Sequence, residues 1–283
     1  MEQITIDTVD GYALAASLYR ADKNNALQKL VIINSGTAIL RSYYESFAIF
    51  LQHQGFDVLT YDYRGVGNTV AIHQHAPEPT MLDWGLVDMN TVLDYAVVHF
   101  PGHRIVGVGH SFGGQILGIV PNCNRFDAFL GIAAQNVFIG NYPWLKPRLI
   151  ASFFFYLLRL LYYVPGYLPR WALGSEPLGK AIIKDWARFS LNKAYLADLQ
   201  GRSIRDGFES FTGRLRLCAM SDDIIFAPEL TVRALGDLYL QTEAEIVVLT
   251  PKAYAVIAIE HFGYFKQSMN PQAWQEAAQW LAG

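Results

Sequence analysis

The sequence predicts an α/β protein: a mostly parallel β-sheet opened by an antiparallel hairpin, covered by helices on both faces and interrupted by one inserted helical region. Three observations carry that reading. Short apolar runs alternate with helical stretches from Leu30 to Ala134 and again from Leu215 to Leu281, the pattern of strands laid side by side in one direction beneath helices. From about Gln135 to Arg205 the alternation stops, and the segment turns rich in proline, tryptophan and large apolar residues. At 283 residues, 52% of them hydrophobic, the chain has ample material for one large core. The core is therefore assigned to residues 1–134 and 206–283, and a helical cap to residues 135–205.

The elements follow in order. Ile4 to Val9 and Tyr12 to Tyr19 alternate as two strands joined by the turn pair Asp10-Gly11. Leu30 to Ile33 is a fully apolar strand, followed by a loop of small residues, Asn34 to Ala38. A helix over Tyr43–Gln54 places Tyr43, Phe47, Phe50 and Leu51 at helical spacing and stops at Gly55. Phe56 to Tyr61 is the next strand and runs into the turn Asp62-Tyr63-Arg64-Gly65-Val66-Gly67, in which Asp62 and Arg64 read as residues that hold the turn. Leu82 to Phe100 reads as one long amphipathic helix with Leu82, Leu86, Met89, Leu93, Val97 and Phe100 on its buried face. Strands at Ala128–Ala134, Leu215–Met220 and Ala244–Leu249 complete the sheet. Asn270 and Pro271 cap a closing helix that buries Trp274, Ala277 and Leu281.

Between Pro147 and Pro165 lies the 16-residue run LIASFFFYLLRLLYYV, almost wholly apolar but interrupted by Arg159. A bilayer span needs roughly 20 residues, so a buried or lid helix is preferred, with membrane docking through Phe153 to Tyr163 as the lesser reading. The formal charge of −3 offers no basic footprint for nucleic acid. The N-terminus has no cationic start before an apolar run, and the two cysteines, Cys123 and Cys218, have no metal-site or disulfide spacing. The expectation is a cytoplasmic protein.

The most informative stretch is Arg104–Val120, RIVGVGHSFGGQILGIV: a buried strand, a turn of small residues and the start of a helix. Gly109, His110, Ser111, Phe112 and Gly113 fill the pattern G-x-S-x-G, in which a strained strand-to-helix turn lifts the serine hydroxyl clear of the sheet. The bland alternative is a glycine-rich turn with an idle serine. A serine hydroxyl needs a general base, usually a histidine held in its working tautomer by a carboxylate. Of the seven histidines, His261 follows the last strand and precedes the closing helix. His53, His73, His75, His99 and His103 fall on helix ends or surface loops, and His73 and His75 have no third metal ligand spaced near them. His110 adjoins the serine, but neighbours in a tight turn point apart. The carboxylates are Asp222 and Asp223, straight after the strand Leu215–Met220, where side chains face the crevice at the strand C-terminal ends.

The DG hairpin, the loop Asn34–Ala38, DYRGVG at Asp62–Gly67, GHSFGG at Gly109–Gly114, the aspartates 222 and 223, and His261 together resemble the α/β-hydrolase superfamily over most of the chain. More narrowly, the sequence is similar to bacterial serine hydrolases of the monoacylglycerol lipase and serine aminopeptidase branch. That resemblance implies Ser111 as nucleophile and His261 as base and then acid. The acid usually stands three residues beyond a glycine, whose place Met220 takes here; this points to Asp223 and leaves Asp222 in play. It also implies an oxyanion hole made by the N–H of Phe112 and one from the Asn34–Ala38 loop, with Thr37 the first choice and Gly36 the second.

The expected chemistry is hydrolysis of a carboxylic ester or thioester through an acyl-serine, on a small hydrophobic substrate favoured by the apolar cap, with no metal or organic cofactor. Amidase, peptidase or acyltransferase activity on the same residues, and a non-catalytic ligand-binding protein, are the alternatives. Oligomeric state is not legible.

Overall fold

The computed structural model describes residues 1–73, 75–143, 146–161, 167–168 and 177–283. Eight strands form the main sheet: β1 (Glu2–Asp7), β2 (Tyr12–Tyr19), β3 (Lys29–Asn34), β4 (Asp57–Tyr61), β5 (Arg104–His110), β6 (Ala128–Ile132), β7 (Arg214–Met220) and β8 (Ala244–Leu249). They are ordered β1-β2-β4-β3-β5-β6-β7-β8, and the two-residue strand Val70–Ala71 adds to β2 as a ninth. The β1–β2 and β2–β4 pairs are antiparallel and every pair from β4 to β8 is parallel.

The helices follow from the apolar faces they must cover. They are α1 (Glu45–His53), α2 (Asn90–His99), α3 (Phe112–Gln115), α4 (Lys146–Leu161), α5 (Lys180–Leu191), α6 (Asp206–Ser210), α7 (Glu229–Gly236) and α8 (Pro271–Ala282). Every residue of β3, β4 and β6 is buried, as two-faced coverage demands. The edge strand β8 is only half-buried. Asn270 caps α8 by accepting the Gln272 N–H, with Pro271 in the first turn.

Three local expectations differ from the structure. Strand β1 ends at Asp7, and Val9 is exposed in the turn, where Thr8 Oγ1 accepts the Tyr12 N–H and Gly11 takes φ +97°. The long helix is not uniform: Met81–Asp83 leads into a π-helical stretch, Trp84–Met89, and only then into α2. The wider turn advances the register, so Trp84, Asp88, Met89, Val92 and Ala96 are buried while Val97 is exposed. The helix after Ser111 is a single α turn that tightens into a 3₁₀ turn at Ile116–Ile119.

Between β6 and β7 the described residues hold α4 and α5 side by side, with Phe154 and Phe155 packed edge-on to Trp186. Helix α5 rests on the core through Phe189, stacked parallel to Phe112 at 6.4 Å. Asp185 also accepts the Met81 N–H at 3.1 Å. On α4, Ala151, Phe155 and Leu158 are buried, whereas Leu149, Phe153, Tyr156 and Leu160 are exposed. Residues 162–166 and 169–176 of the expected cap, Tyr162 and Tyr163 among them, lie outside the described residues. No helix among the described residues is long and apolar enough to cross a membrane.

Candidate active site

Ser111 sits between β5 and α3 with φ +50° and ψ −118°, a conformation that L-residues resist. The turn closes because its N–H reaches the Ile132 carbonyl at 2.9 Å and its carbonyl accepts the Gly114 N–H at 3.0 Å. Two glycines make room. A Cβ on Gly109 would lie 2.5 Å from the Gly114 Cα, and one on Gly113 would collide with the Asn34 carbonyl.

The histidine candidate and the two aspartates reach this turn from the ends of β8 and β7. His261 Nε2 lies 3.0 Å from Ser111 Oγ, and His261 Nδ1 lies 2.6 Å from Asp223 Oδ2. The other Asp223 oxygen accepts the Phe226 N–H at 3.0 Å, which fixes the carboxylate plane. Both His261 and Asp223 are buried, so the pair is shielded from competing water. Asp222 turns elsewhere: its carboxylate accepts the N–H groups of Ile259 at 2.8 Å and Glu260 at 3.1 Å, and Glu260 takes φ +52° just before His261.

The Asn34–Ala38 loop lies across Ser111. Gly36 spends its N–H on the Tyr44 hydroxyl at 2.9 Å. The N–H groups of Thr37 and Phe112 have no partner among the described residues, and Thr37 lines the same cavity as Ser111. Of the two loop donors expected from sequence, Thr37 is therefore the one left available.

That cavity has a volume of about 470 Å³. Ser111 and His261 line it together with aromatic side chains, among them Phe154 and Phe155 of α4, Trp186 of α5, Phe226 and Phe262. Gln115 and Gln135 add a polar spot, joined by a 3.0 Å hydrogen bond and held by the Tyr195 hydroxyl, which donates to Gln115 Oε1 at 2.5 Å. Among the described lining residues, Lys266 alone carries a permanent charge. Among the described residues no group of three or more metal-ligating side chains could hold an ion.

His73, His75, His53 and His99 lie away from this cavity. Asp62 and Arg64 are buried in ion pairs, Asp62 with Arg41 and Arg64 with Asp88 and Asp10, outside the cavity lining. Sequence reasoning passed over His110. Its Nδ1 lies 2.9 Å from the Tyr44 hydroxyl and its Nε2 2.9 Å from the His261 carbonyl. Burial pushes its pKa down to about 3, so the ring is neutral at ordinary pH. No local signal announces this, since its partners stand 66 and 151 residues away in sequence.

The strand order, the strained serine turn after β5, the aspartate pair after β7 and the histidine loop after β8 make up an α/β-hydrolase fold, which the chain shares with solved structures. Residues 25–153 match the family described as serine aminopeptidase, S33. Among solved structures the chain is similar to Est1E of Butyrivibrio proteoclasticus, solved with ferulic acid bound, at 16% identity and a TM-score of 0.63, covering 99% of this chain and 96% of that one. It is similar to DcsB in complex with a substrate analogue at 14% identity and a TM-score of 0.68, covering 99% and 97%. An esterase of Pyrococcus furiosus matches at 16% identity and a TM-score of 0.63, covering 99% and 88%. At these identities the likeness is one of fold. No curated protein matches the sequence.

Proposed function

We propose that the protein is a serine hydrolase that cleaves a carboxylic ester or thioester bearing a hydrophobic acyl or alkyl group. The observation that carries this is the hydrogen-bonded row Ser111–His261–Asp223 opening into a cavity walled mainly by aromatic side chains. Asp223 accepts the Nδ1 proton of His261 and so leaves the Nε2 lone pair facing the Ser111 hydroxyl. As Oγ attacks the carbonyl carbon, Nε2 takes its proton, and the carbonyl oxygen gains its negative charge beside the N–H groups of Phe112 and Thr37. A single donor of this kind is worth about 3–4 kcal/mol of barrier. The imidazolium then protonates the departing alcohol or thiol. Water, deprotonated by His261, attacks the acyl-serine, and the acid leaves with Ser111 restored.

The family description favours a second reading, an aminopeptidase. An aminopeptidase must recognise its substrate's ammonium group, commonly with a carboxylate. The cavity lining holds no carboxylate among the described residues, and its one permanent charge, Lys266, repels a cation. The ester reading is therefore preferred. Two of the solved structures named above are called esterases or hold a phenolic acid, which supports the same preference by analogy.

Labelling with a fluorophosphonate, located by peptide mass spectrometry, tests the proposal. Labelling at Ser111 that is lost in Ser111→Ala and His261→Ala, with turnover of p-nitrophenyl esters exceeding that of aminoacyl p-nitroanilides, is the expected result. A folded protein that is not labelled would overturn it.

A further inference from the structure

We propose that His110 is a positioning residue that locks the loop offering the Thr37 N–H to the loop carrying His261, a role that rests on the serine-hydrolase reading of the site. Its hydrogen bonds can run in only one direction. The His261 carbonyl can only accept, so His110 Nε2 carries the proton and donates it at 2.9 Å. His110 Nδ1 is then a bare acceptor and takes the Tyr44 hydroxyl proton at 2.9 Å. The Tyr44 oxygen, having donated, accepts the Gly36 N–H at 2.9 Å. A single chain of donors thus runs from the peptide next to Thr37, through Tyr44 and His110, to the backbone of His261.

The surroundings hold this chain rigid. His110 and Tyr44 are fully buried. Phe265 packs on both rings, at 5.1 Å from His110 and 4.9 Å from Tyr44, and Phe262 meets His110 edge-on at 5.9 Å. The Tyr43 hydroxyl donates to the Phe262 carbonyl, gripping the same loop one residue further on. His110 also directly precedes Ser111. One imidazole therefore sets the distance between nucleophile, base and the loop N–H, which catalysis needs held to a fraction of an ångström. A histidine that merely filled the core would need its polar atoms satisfied, but not by two loops that both border the serine.

The test compares His110→Ala, His110→Gln, His110→Asn and Tyr44→Phe with the wild type. Active sites are counted by fluorophosphonate titration, and kcat and KM for p-nitrophenyl butanoate are expressed per titrated site. Misplacing reacting groups by about 1 Å costs up to about a hundredfold. His110→Ala is expected to lower kcat per site by about tenfold or more with KM nearly unchanged. His110→Gln carries an amide N–H near the place of Nε2 and should regain most of the loss. His110→Asn reaches only as far as Nδ1 and should not. Tyr44→Phe should lower kcat, and adding it to His110→Ala should cost less than the product of the two single effects, because the bonds act in series.

Wild-type kcat per site in His110→Ala, whatever its melting temperature, would overturn the positioning role and leave the hydrolase reading standing. If the alanine variant does not fold, the Gln and Asn variants decide: equal kcat per site in both overturns the role, and Gln well above Asn supports it. A folded wild type that neither labels nor turns over the ester overturns both readings together.

Discussion

Asp222 and Asp223 grip the same loop by different handles. Asp223 meets the His261 imidazole at 2.6 Å, while Asp222 holds the backbone N–H groups of Ile259 and Glu260. Asp223→Asn should lower kcat by about 10⁴, because an amide can present its N–H to Nδ1 and favour the wrong tautomer. Asp222→Asn keeps one acceptor oxygen for the loop and should cost about tenfold or less, whereas Asp222→Ala removes both bonds and should cost more. Steady-state kinetics on one p-nitrophenyl ester ranks the three. A larger loss in Asp222→Asn than in Asp223→Asn would reverse the assignment.

The buried neutral His110 makes stability depend on pH in a definite direction. Its pKa is pushed from the ordinary 6.5 down to about 3, by burial first and by the nearby His261 second. The unfolded chain therefore binds a proton below about pH 6.5 that the folded chain refuses until about pH 3. The contribution is fully present above the unfolded pKa and is lost as pH falls, by about 1.4 kcal/mol per unit in that window. Urea unfolding at pH 7, 6 and 5 should show the stability gap between wild type and His110→Gln narrowing on acidification. A gap independent of pH would mean that the folded state admits the proton.

Much of this arrangement was legible in the sequence, and the rest was hidden for identifiable reasons. Strands β3, β4 and β6 read clearly because burial on two faces demands unbroken apolar runs. The serine turn read clearly because Gly109 and Gly113 stand where a side chain would meet backbone. The π-helical stretch Trp84–Met89 did not read, since it depends on where Trp84 docks: stacked on Tyr63 at 4.9 Å and donating its Nε1–H to the Arg64 carbonyl. Adjacent aspartates could not be told apart because the turn alone sets their directions. The partners of His110 come from loops far apart in the chain, so no local pattern encodes them.

Arg64 is a buried cation that the site does not use. Its guanidinium sits between Asp88, bound at Nε at 2.7 Å, and Asp10, bound by both terminal nitrogens at 2.6 and 3.0 Å, and lies over the Tyr12 ring. It ties the turn after β4 to the β1–β2 hairpin and to the π-helical stretch. Removing one partner of a buried pair costs about 3–5 kcal/mol, because the other charge is left stranded. Arg64→Met should destabilise by about that amount, and adding Asp88→Asn should recover part of it. Chemical denaturation of the single and double variants gives the coupling, and a double variant no more stable than Arg64→Met would show that Asp88 is not the stranded charge.

Helix α4 is apolar on two faces, and substitutions on them should separate packing from surface contact. Leu158 is 2% exposed and Phe154 lines the cavity, whereas Phe153 is 71% and Leu160 64% exposed. Leu158→Asp drives an unpaired carboxylate into a packed interface, and a loss of several kcal/mol is expected. Phe153→Asp and Leu160→Asp place the charge in water and should change stability by about 0.5 kcal/mol or less. They are therefore the variants suited to asking whether α4 touches a membrane, since Phe154→Asp would disturb the cavity itself. Melting temperatures check the packing contrast, and flotation with anionic liposomes checks the contact: partition by the wild type that is lost in the Phe153→Asp, Leu160→Asp double variant would place lipid on the outer face. A melting temperature that falls as far in Phe153→Asp as in Leu158→Asp would mean that the outer face is covered by protein in solution.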